Sequence, residues 1–465
     1  MSYFDDLARL DTAVALVCED GRALTYSAVA AAADAFARHL PARGLVFLLS
    51  GNCPEAVLGY IGCLRMRAPA ALFSTGLHRS FLAALLAAYR PPCIWLPRSR
   101  AGEIQGATEI YRLNDYVLLR TGFSPLPAHE QLALLMTTSG STGSPKLVRL
   151  SYGNLAANTA AIAEYLRIEP DDRALTSLPM HYVYGLSVIN SHLHAGASVV
   201  LTDASLAEKR FWSLIEEHRV TSLAGVPYTY EILKKLRWQR MNIASLRTLT
   251  QAGGKLHPGM VREFALACQE KNIRFYVMYG AAEATARMAY LPPELAADNP
   301  SSIGIPIPGG ELWVEDDRGC LIREPGGTGR LFYRGPNVSM GYADRGEDLT
   351  LGDERGGILD TGDLAQRDEQ SLFSIVGRRS RFVKLFGNRV NLEEVEQIVR
   401  SSGIECACGG DDAALRIYIT DTSRRREALS VVQQMTRLHP CVLRVIELER
   451  IPRNSFGKIA YAELP

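Results

Sequence analysis

A segment rich in Gly, Ser and Thr has the composition of a phosphate-binding loop. Residues 132–150 predict an apolar strand, a polar loop that ends in Pro-Lys, and a second apolar strand. The glycines let successive backbone N–H groups point at one anion, the hydroxyls add donors, and the lysine adds a positive charge. The predicted phosphate-binding residues are Thr138, Ser139, Gly140, Ser141, Thr142, Gly143 and Lys146. Walker A spacing is missing and the loop leads into a strand, so the segment predicts a polyphosphate cradle of another type.

A carboxylate near the end of another predicted strand is a candidate metal ligand. Glu283 follows the apolar segment 274–278, and α/β sheets bind ligands at the carboxyl ends of their strands. A carboxylate beside a triphosphate suits Mg²⁺. The alternative is an acidic residue that serves a helix N-terminus.

Alternating strand and helix patterns must position these residues. Strands are predicted at 23–27, 44–50, 198–201, 222–226 and 274–278, and helices at 29–40 and 54–65. Such alternation predicts an α/β protein with a largely parallel sheet. Ser151 is placed to cap the helix that follows the second strand of the loop segment.

The pattern changes after about residue 301. Short strands at 311–315, 329–333 and 372–376, separated by Gly, Pro and Asp, predict a β-rich subdomain. Residues 377–381 are rich in Arg and predict a linker, and a strand–helix–strand–helix rhythm follows. We therefore expect a large α/β N-terminal domain over residues 1–377, which includes the β-rich subdomain, and a small, mobile α+β domain over residues 378–465.

Composition excludes several classes of protein. The chain has 465 residues, 47% of them hydrophobic, with 51 basic and 50 acidic side chains. The near-zero net charge argues against a nucleic-acid partner, and the composition argues against disorder. The most apolar stretch, residues 56–73, is interrupted by Arg65 and Arg67, so no membrane span is expected. Nine scattered cysteines and an acidic start without an apolar leader predict a cytoplasmic location.

The loop and five further segments resemble motifs of the ANL adenylate-forming superfamily, which contains acyl- and aryl-CoA synthetases, adenylation domains and luciferases. The segments are 279–283 (YGAAE, similar to Y-G-x-T-E), 360–363 (DTGD), 377–378 (the hinge GR), 384–390 (KLFGNRV) and 454–459 (NSFGKI). They occur in family order and span nearly the whole chain. The resemblance implies that a carboxylate attacks the α-phosphate of ATP, giving an acyl-adenylate and pyrophosphate.

The resemblance also implies a role for each matched residue. Lys458 would bridge the carboxylate and the α-phosphate, and Glu283 would hold Mg²⁺. Tyr279 would stack on adenine, while Asp363 and Arg378 would bind the ribose. The remaining nucleotide contacts would come from Gly253, Gly254 and Gly280. By itself, Asp363 would be taken as an ordinary turn residue.

Two positions depart from the family pattern. Ala282 replaces a Thr whose hydroxyl would contact the α-phosphate, and Thr285 is a possible substitute. Ser380 stands where the hinge acid is usual, although a small polar residue still permits hinging. Gly387 lies in the loop that would line a tunnel for the thiol.

The segment 179–187 resembles the H-x-x-x-G segment of enzymes that activate acyl and aryl acids. Amino-acid-activating domains carry an Asp here, aligned with Gly185, so an α-amino acid is not expected, because a buried ammonium needs a counter-charge. The predicted acid pocket is mainly apolar and is formed by His181, Tyr182, Tyr184, Val226 and Ala281. An aryl, short-chain or medium-chain acid is therefore expected.

The acceptor of the acyl group stays open at this point. The thiol of CoA or the phosphopantetheine arm of an acyl carrier protein would complete an acid–thiol ligase that uses ATP and Mg²⁺. The alternatives are an adenylate donor to a nucleophile that is not a thiol, or a nucleotide-binding homologue with weakened catalysis.

Overall fold

The computed structural model describes residues 4–137, 146–241, 243–378, 381–385, 388–411, 414–436, 440–454 and 457–465. In chain order its strands are β1 (Val14–Val17), β2 (Ala23–Thr25), β3 (Val46–Ser50), β4 (Ala70–Ser74), β5 (Cys93–Pro97), β6 (Thr108–Leu113), β7 (Tyr116–Arg120), β8 (Leu132–Thr137), β9 (Leu147–Ser151), β10 (Arg173–Leu175), β11 (Ser198–Val200), β12 (Ser222–Gly225), β13 (Thr248–Gln251), β14 (Arg274–Tyr279), β15 (Ala289–Leu291), β16 (Ile305–Pro306), β17 (Glu311–Glu315), β18 (Thr328–Arg334), β19 (Gly341–Ala343), β20 (Ile358–Arg367), β21 (Phe373–Arg378), β22 (Phe382–Leu385), β23 (Asn388–Asn391), β24 (Cys406–Asp411), β25 (Ala414–Ile419) and β26 (Leu443–Glu447).

The helices alternate with these strands through the first 270 residues. They are α1 (Tyr26–Ala37), α2 (Pro54–Arg65), α3 (Arg79–Tyr89), α4 (Tyr152–Leu166), α5 (Val183–His194), α6 (Lys209–Glu217), α7 (Pro227–Lys235), α8 (Pro258–Glu270), α9 (Leu392–Ser401) and α10 (Arg425–Thr436). None of the helices in the described ranges is long and apolar enough to cross a membrane.

Two large sheets enclose a layer of helices. The first has the strand order β19-β9-β8-β4-β3-β5-β7-β6 and the second the order β16-β15-β14-β13-β12-β10-β11-β1-β2. Apolar residues of α1, α2, α4 and α5 pack between them in one cluster. The outer faces are covered by α3 on the first sheet and by α6, α7 and α8 on the second. The central strands of both sheets are parallel, as the βα alternation predicts.

Several local predictions are confirmed. The helix expected at 54–65 has those bounds, with Pro54 in its first turn. Ser151 caps α4 in a capping box, in which its Oγ accepts from the Asn154 N–H at 2.9 Å. The buried run at 44–50 forms β3, with all five residues of the strand buried.

The β-rich subdomain is an antiparallel sheet in the order β17-β18-β20-β21. Its three predicted strands are present, but segment 360–363 is not a turn, because it lies within the ten-residue strand β20. The pairing of β18 with β20 shifts register between Arg330 and Phe332. Gly362 has φ +73°, and the Thr361 hydroxyl donates to the Leu331 carbonyl at 2.8 Å. The Gly-containing segment is thus a bulge inside a strand.

The C-terminal residues have an apolar core of their own, formed by side chains from Val383 to Val445. The order is two strands, a helix, two strands, a helix and a final strand, so the predicted strand–helix–strand–helix rhythm is wrong in detail. The difference begins with β22 and β23, which pair as an antiparallel hairpin. The hydrophobic pattern of this short segment does not indicate that pairing. The 377/378 boundary falls at the last residues of β21 and stays a prediction.

A buried arginine ties the loop segment to the β-rich region. Arg149 of β9 is fully buried, and its guanidinium donates to the carbonyls of Tyr342 (2.8 Å), Met340 (3.1 Å), Gly352 (3.1 Å) and Leu351. It also pairs with the Glu354 carboxylate at 2.5 Å. One side chain therefore satisfies four carbonyls and one carboxylate around residues 340–354.

We expect Arg149→Met to destabilise the fold by about 3 kcal/mol or more, because it leaves buried carbonyls without donors. The control is Arg334→Met, which breaks an exposed ion pair with Glu311 at 2.9 Å and should cost about 0.5 kcal/mol or less. Denaturant unfolding measures both variants. Equal losses would show that the buried network contributes no more than a surface pair.

Candidate functional site

Several of the predicted site residues come from distant parts of the chain and lie at or near the carboxyl ends of neighbouring strands of the second sheet. Tyr279 ends β14, Gly253 follows β13, and Val226 follows β12. These three strands are parallel neighbours, so their carboxyl ends lie side by side. The β-rich subdomain contributes Asp363, and the C-terminal region contributes Lys458.

Asp363 is buried and binds two of the predicted nucleotide-binding side chains. Its Oδ2 accepts from the Tyr279 hydroxyl and its Oδ1 accepts from Arg378 Nε at 3.1 Å. Burial raises the pKa of this carboxyl, whereas the nearby Arg378 acts to lower it. Each carboxylate oxygen has a further lone pair, so Asp363 retains acceptor capacity for sugar hydroxyls.

Glu283 is linked to Lys146 through a residue that the sequence analysis did not identify. The Tyr342 hydroxyl donates to Glu283 Oε1 at 2.8 Å. Lys146 Nζ lies 4.0 Å from the centroid of the same Tyr342 ring, within cation–π range. Burial and the Glu283 charge raise the pKa of Tyr342 to about 12, so the phenol stays protonated and remains a donor. Its position after Gly341 offered no signal of this contact.

Lys458 reaches the large domain from the C-terminal residues. Its Nζ lies 5.7 Å from the centroid of the Tyr182 ring. Burial lowers its pKa to about 8, Arg378 acts in the same direction, and Glu283 acts against them. The preceding Gly457 has φ +74°, and a Cβ placed on it would lie 3.5 Å from Val226 Cγ2. The loop therefore packs directly on the predicted acid pocket.

Tyr182, Tyr184 and Val226 belong to one buried apolar cluster. Gly253 touches it closely, since a Cβ at this position of φ +81° would lie 2.5 Å from the Tyr182 hydroxyl oxygen. A Cβ on Gly254 would instead lie 3.1 Å from Pro227 Cγ. Both positions thus require a small residue for packing as well as for any approach of a ligand.

His181 is buried beside this cluster and is neutral. Its Nδ1 lies 3.3 Å from the carbonyl oxygen of Ser50, so Nδ1 carries the proton and Nε2 is the acceptor. Burial lowers the pKa of the ring to about 4. A neutral His181 adds no positive charge for a carboxylate.

Three expectations on individual residues receive no support. A Cβ on Gly185 would lie 2.3 Å from the Pro179 carbonyl oxygen, so this position faces backbone, and its lack of an Asp says nothing about the substrate. The hydroxyl of Thr285 donates to the Asn337 carbonyl at 2.6 Å, which leaves it no proton for a phosphate. Ala281 packs on the core of the β-rich subdomain and is not part of the cluster that contains Tyr182 and Tyr184.

Some predicted site residues lie outside the described residues. They are Thr138, Ser139, Gly140, Ser141, Thr142, Gly143, Ser380 and Gly387. The strands on either side of the loop, β8 and β9, pair in antiparallel fashion and bring Lys146 toward Tyr342. In the described ranges there is no group of three or more His, Cys, Asp or Glu side chains that could hold a metal ion.

Gly280 is fixed by packing, because a Cβ there would lie 1.7 Å from the Ala286 carbonyl oxygen. We expect Gly280→Ala to cost about 3 kcal/mol or more in unfolding free energy, since backbone must move. Gly122→Ala, where the added methyl meets nothing within 4 Å, should change stability by about 1 kcal/mol or less. Thermal and denaturant unfolding compare the two. A Gly280 variant as stable as the Gly122 variant would contradict this account.

The sequence is similar to curated acid ligases. It is 32% identical over 351 residues to an L-proline–[L-prolyl-carrier protein] ligase of Streptomyces coelicolor, covering 72% of this chain and 65% of that protein. It is 29% identical to an indoleacetate–CoA ligase of Aromatoleum aromaticum, again covering 65% of that protein. These two matches span just under two thirds of the relatives' own length. A medium-chain fatty-acid–CoA ligase of Escherichia coli is 25% identical, with 98% of this chain and 88% of that protein covered.

Solved structures share the fold. O-succinylbenzoate coenzyme A synthetase of Bacillus subtilis, in complex with AMP, superposes with a TM-score of 0.80 at 23% identity, covering 100% of this chain and 98% of that one. ATP-bound MatB of Rhodopseudomonas palustris gives a TM-score of 0.81 at 22% identity, covering 99% and 98%. The model of the AMP-binding enzyme family matches residues 4–343. The chain therefore belongs to the AMP-binding enzyme family, within the ANL adenylate-forming superfamily that its motifs indicated.

Proposed function

We propose that this protein is an AMP-forming acid–thiol ligase. It activates a carboxylic acid with ATP, releases pyrophosphate, and transfers the acyl group from the adenylate to a thiol. The observation that carries the proposal is the position of Lys458. Its Nζ lies near the ring of the acid-pocket residue Tyr182, and it interacts electrostatically with Glu283 and Arg378. A cation from the C-terminal region thus stands where a carboxylate and a nucleotide would meet.

The first half-reaction joins two anions. An oxygen of the substrate carboxylate attacks the α-phosphorus of ATP, and the bond to the pyrophosphate oxygen breaks. Lys458 offsets the negative charge that gathers on the α-phosphoryl oxygens. The loop 138–145 and Lys146 hold the outgoing pyrophosphate, while Asp363 and Arg378 hold the ribose and Tyr279 contacts adenine.

Glu283 is the proposed Mg²⁺ ligand. The Tyr342 hydroxyl, which donates to one carboxylate oxygen, would orient the carboxylate. One protein carboxylate fits Mg²⁺, which takes most of its oxygen ligands from phosphates and water. The Bacillus subtilis synthetase has also been solved with ATP and a magnesium ion. When bound, the ion would neutralise the phosphate charge.

The second half-reaction needs a path for a thiol. We infer that residues 378–465 turn as a body about Ser380, which withdraws Lys458 and brings the loop around Gly387 to the site. Two half-reactions need two different arrangements over one acyl site. The apolar core that is confined to the C-terminal residues supports a body that moves as a unit.

The acid is a small carboxylate held by the cluster around Tyr182 and Tyr184. One relative is named as a carrier-protein ligase and another as a CoA ligase, so we retain both CoA and a carrier protein as candidate acceptors of the acyl group. Because Gly185 faces backbone, an α-amino acid is kept in the test panel. Hydroxylamine trapping across carboxylic acids, followed by addition of CoA and carrier proteins, identifies both partners. ATP binding without any trapped acid would instead indicate a homologue with weakened catalysis.

Lys458→Ala should lower the rate of ATP–pyrophosphate exchange about a hundredfold, because removing one placed donor costs roughly 3 kcal/mol of transition-state stabilisation. ATP affinity, measured by calorimetry, should change little. Exchange within threefold of the parent would exclude Lys458 as the catalytic cation.

The lowered pKa of Lys458 predicts a pH limit. The ammonium is present below pH about 8 and is lost above it, so kcat/KM for exchange should fall as pH rises through that value. In Lys458→Arg the guanidinium stays charged, and the descending limb should disappear. A limb that persists in this variant would belong to another group.

Glu283→Gln should raise the Mg²⁺ concentration for half-maximal exchange at least tenfold, because the amide is a poor ligand for this ion. Tyr342→Phe is the matched control: it removes one hydrogen bond but keeps the carboxylate, so the shift should be about threefold or less. An unchanged Mg²⁺ dependence in Glu283→Gln would remove Glu283 from the metal site.

A further inference from the structure

Arg287 is a fully buried cation beside the proposed acid pocket. Its side chain has 1% exposure, and its guanidinium carbon lies 4.2 Å from the centroid of the Tyr184 ring. The other contacts are the Tyr165 hydroxyl (3.3 Å), Ser187 Oγ (3.1 Å) and the Met278 sulfur. The Nε–H is buried and has no partner in the described part of the chain.

The described residues around Arg287 supply no negative charge. Within the described residues, no carboxylate lies within ion-pair distance of its guanidinium. Burial raises the pKa of the contacting Tyr165 to about 12 and also raises the pKa of Tyr184, so both phenols are neutral at pH 7. The loop sequence at 138–145, TSGSTGSP, contains no acidic residue.

Arg149, which is also fully buried, shows the usual solution. Arg149 is matched with the Glu354 carboxylate and four backbone carbonyls. A buried charge without such partners is costly. The contrast indicates that Arg287 lacks an anion which another molecule can supply.

Backbone strain fixes Arg287 in this position. The two preceding residues, Thr285 and Ala286, have φ of 60° and 136°, which non-glycine residues rarely adopt. The Arg287 carbonyl accepts from the side-chain amides of Asn158 (3.0 Å) and Asn337 (2.9 Å). A side chain held by strained backbone and two amides is preorganised for a ligand.

Arg287 contacts members of the apolar cluster that contains Tyr182 and Tyr184. Its aromatic neighbour Tyr184 packs edge to face on Tyr182, with the ring centroids 6.2 Å apart. Tyr182 in turn faces Lys458 Nζ. A continuous series of contacts thus runs from Arg287 through the rings of Tyr184 and Tyr182 to Lys458.

We propose that Arg287 binds a second anionic group of the acid substrate, which is therefore a dicarboxylic acid or an acid of similar charge. Lys458 meets the carboxylate that reacts, and Arg287 meets the distal one. This inference rests on the proposed ligase function. Guanidinium and carboxylate are matched in shape and charge, so the pairing offsets the burial of both.

The test compares acids of equal carbon number that differ in the distal carboxylate: valerate with glutarate, hexanoate with adipate, and 3-methylbenzoate with isophthalate. The readout is kcat/KM for ATP–pyrophosphate exchange. We expect the wild-type enzyme to prefer the diacid at least tenfold in one or more pairs. Preference for the monoacid in every pair, or no preference, overturns the inference whatever any variant does.

Arg287→Met removes the charge and keeps an apolar side chain. We expect diacid activity to fall at least a hundredfold, monoacid activity to hold or rise, and the melting temperature to stay equal or increase, because an unmatched buried charge is lost. Arg334→Met is the surface control and should leave the activity with diacids and with monoacids unchanged. Equal loss on both members of each pair would make Arg287 a structural residue.

The two proposals fail in different ways. Exchange with monoacids but without diacid preference overturns the role of Arg287 and leaves the ligase proposal standing. Exchange with none of the six acids overturns the dicarboxylate inference, and the wider hydroxylamine screen then decides the ligase function separately. If Arg287→Met does not fold, Arg287→Lys, which keeps the charge but loses the planar fork, should still weaken the diacid preference.

Discussion

The proposed site depends on the placement of the Lys458 ammonium group beside the ring of Tyr182. Burial, together with the nearby Arg378, lowers the pKa of Lys458 to about 8, which corresponds to roughly 3 kcal/mol against docking while the lysine is protonated. The charged form is the disfavoured one, so this penalty is full below pH about 8 and is relieved as pH rises toward the ordinary lysine range. Under the proposed function, a bound polyphosphate would relieve this penalty at neutral pH and would thereby favour docking of the C-terminal residues.

The large domain provides the surface on which that lysine lies. Parallel strands β12, β13 and β14 end side by side, and Val226, Gly253 and Tyr279 follow from this geometry. Arg149 holds residues 340–354 against the strand that leaves the phosphate loop, and so places Tyr342 beside Glu283. The close contact of Gly280 with Ala286 fixes the turn between them.

Charge distribution distinguishes the two cations of the proposed acid site, Lys458 and Arg287. Lys458 retains a nearby carboxylate, Glu283, whereas Arg287 contacts neutral groups in the described residues. His181 adds no charge, because burial keeps its ring neutral. The proposed dicarboxylate preference follows from this asymmetry: Lys458 would be matched by the reacting carboxylate and the nucleotide, whereas Arg287 has only neutral partners in the described residues.

The sequence by itself determined the features that depend on local patterns. Apolar periodicity predicted β3, α2 and the strands of the β-rich subdomain, and capping chemistry predicted the start of α4. Motif resemblance identified the family, and the side chains of Asp363, Tyr279 and Arg378 do meet in the structure.

Only the tertiary structure decided the features that depend on distant contacts. A bulge inside β20 and a turn have the same local composition, so segment 360–363 was assigned wrongly. Tyr342 and Arg287 carry no local sequence signal. Tyr342 matters because it contacts Glu283, which lies 59 residues away along the chain. Arg287 matters because no carboxylate lies near it in the described residues. Pairing and burial of charge are set by which segments pack together, and no window of sequence contains that information.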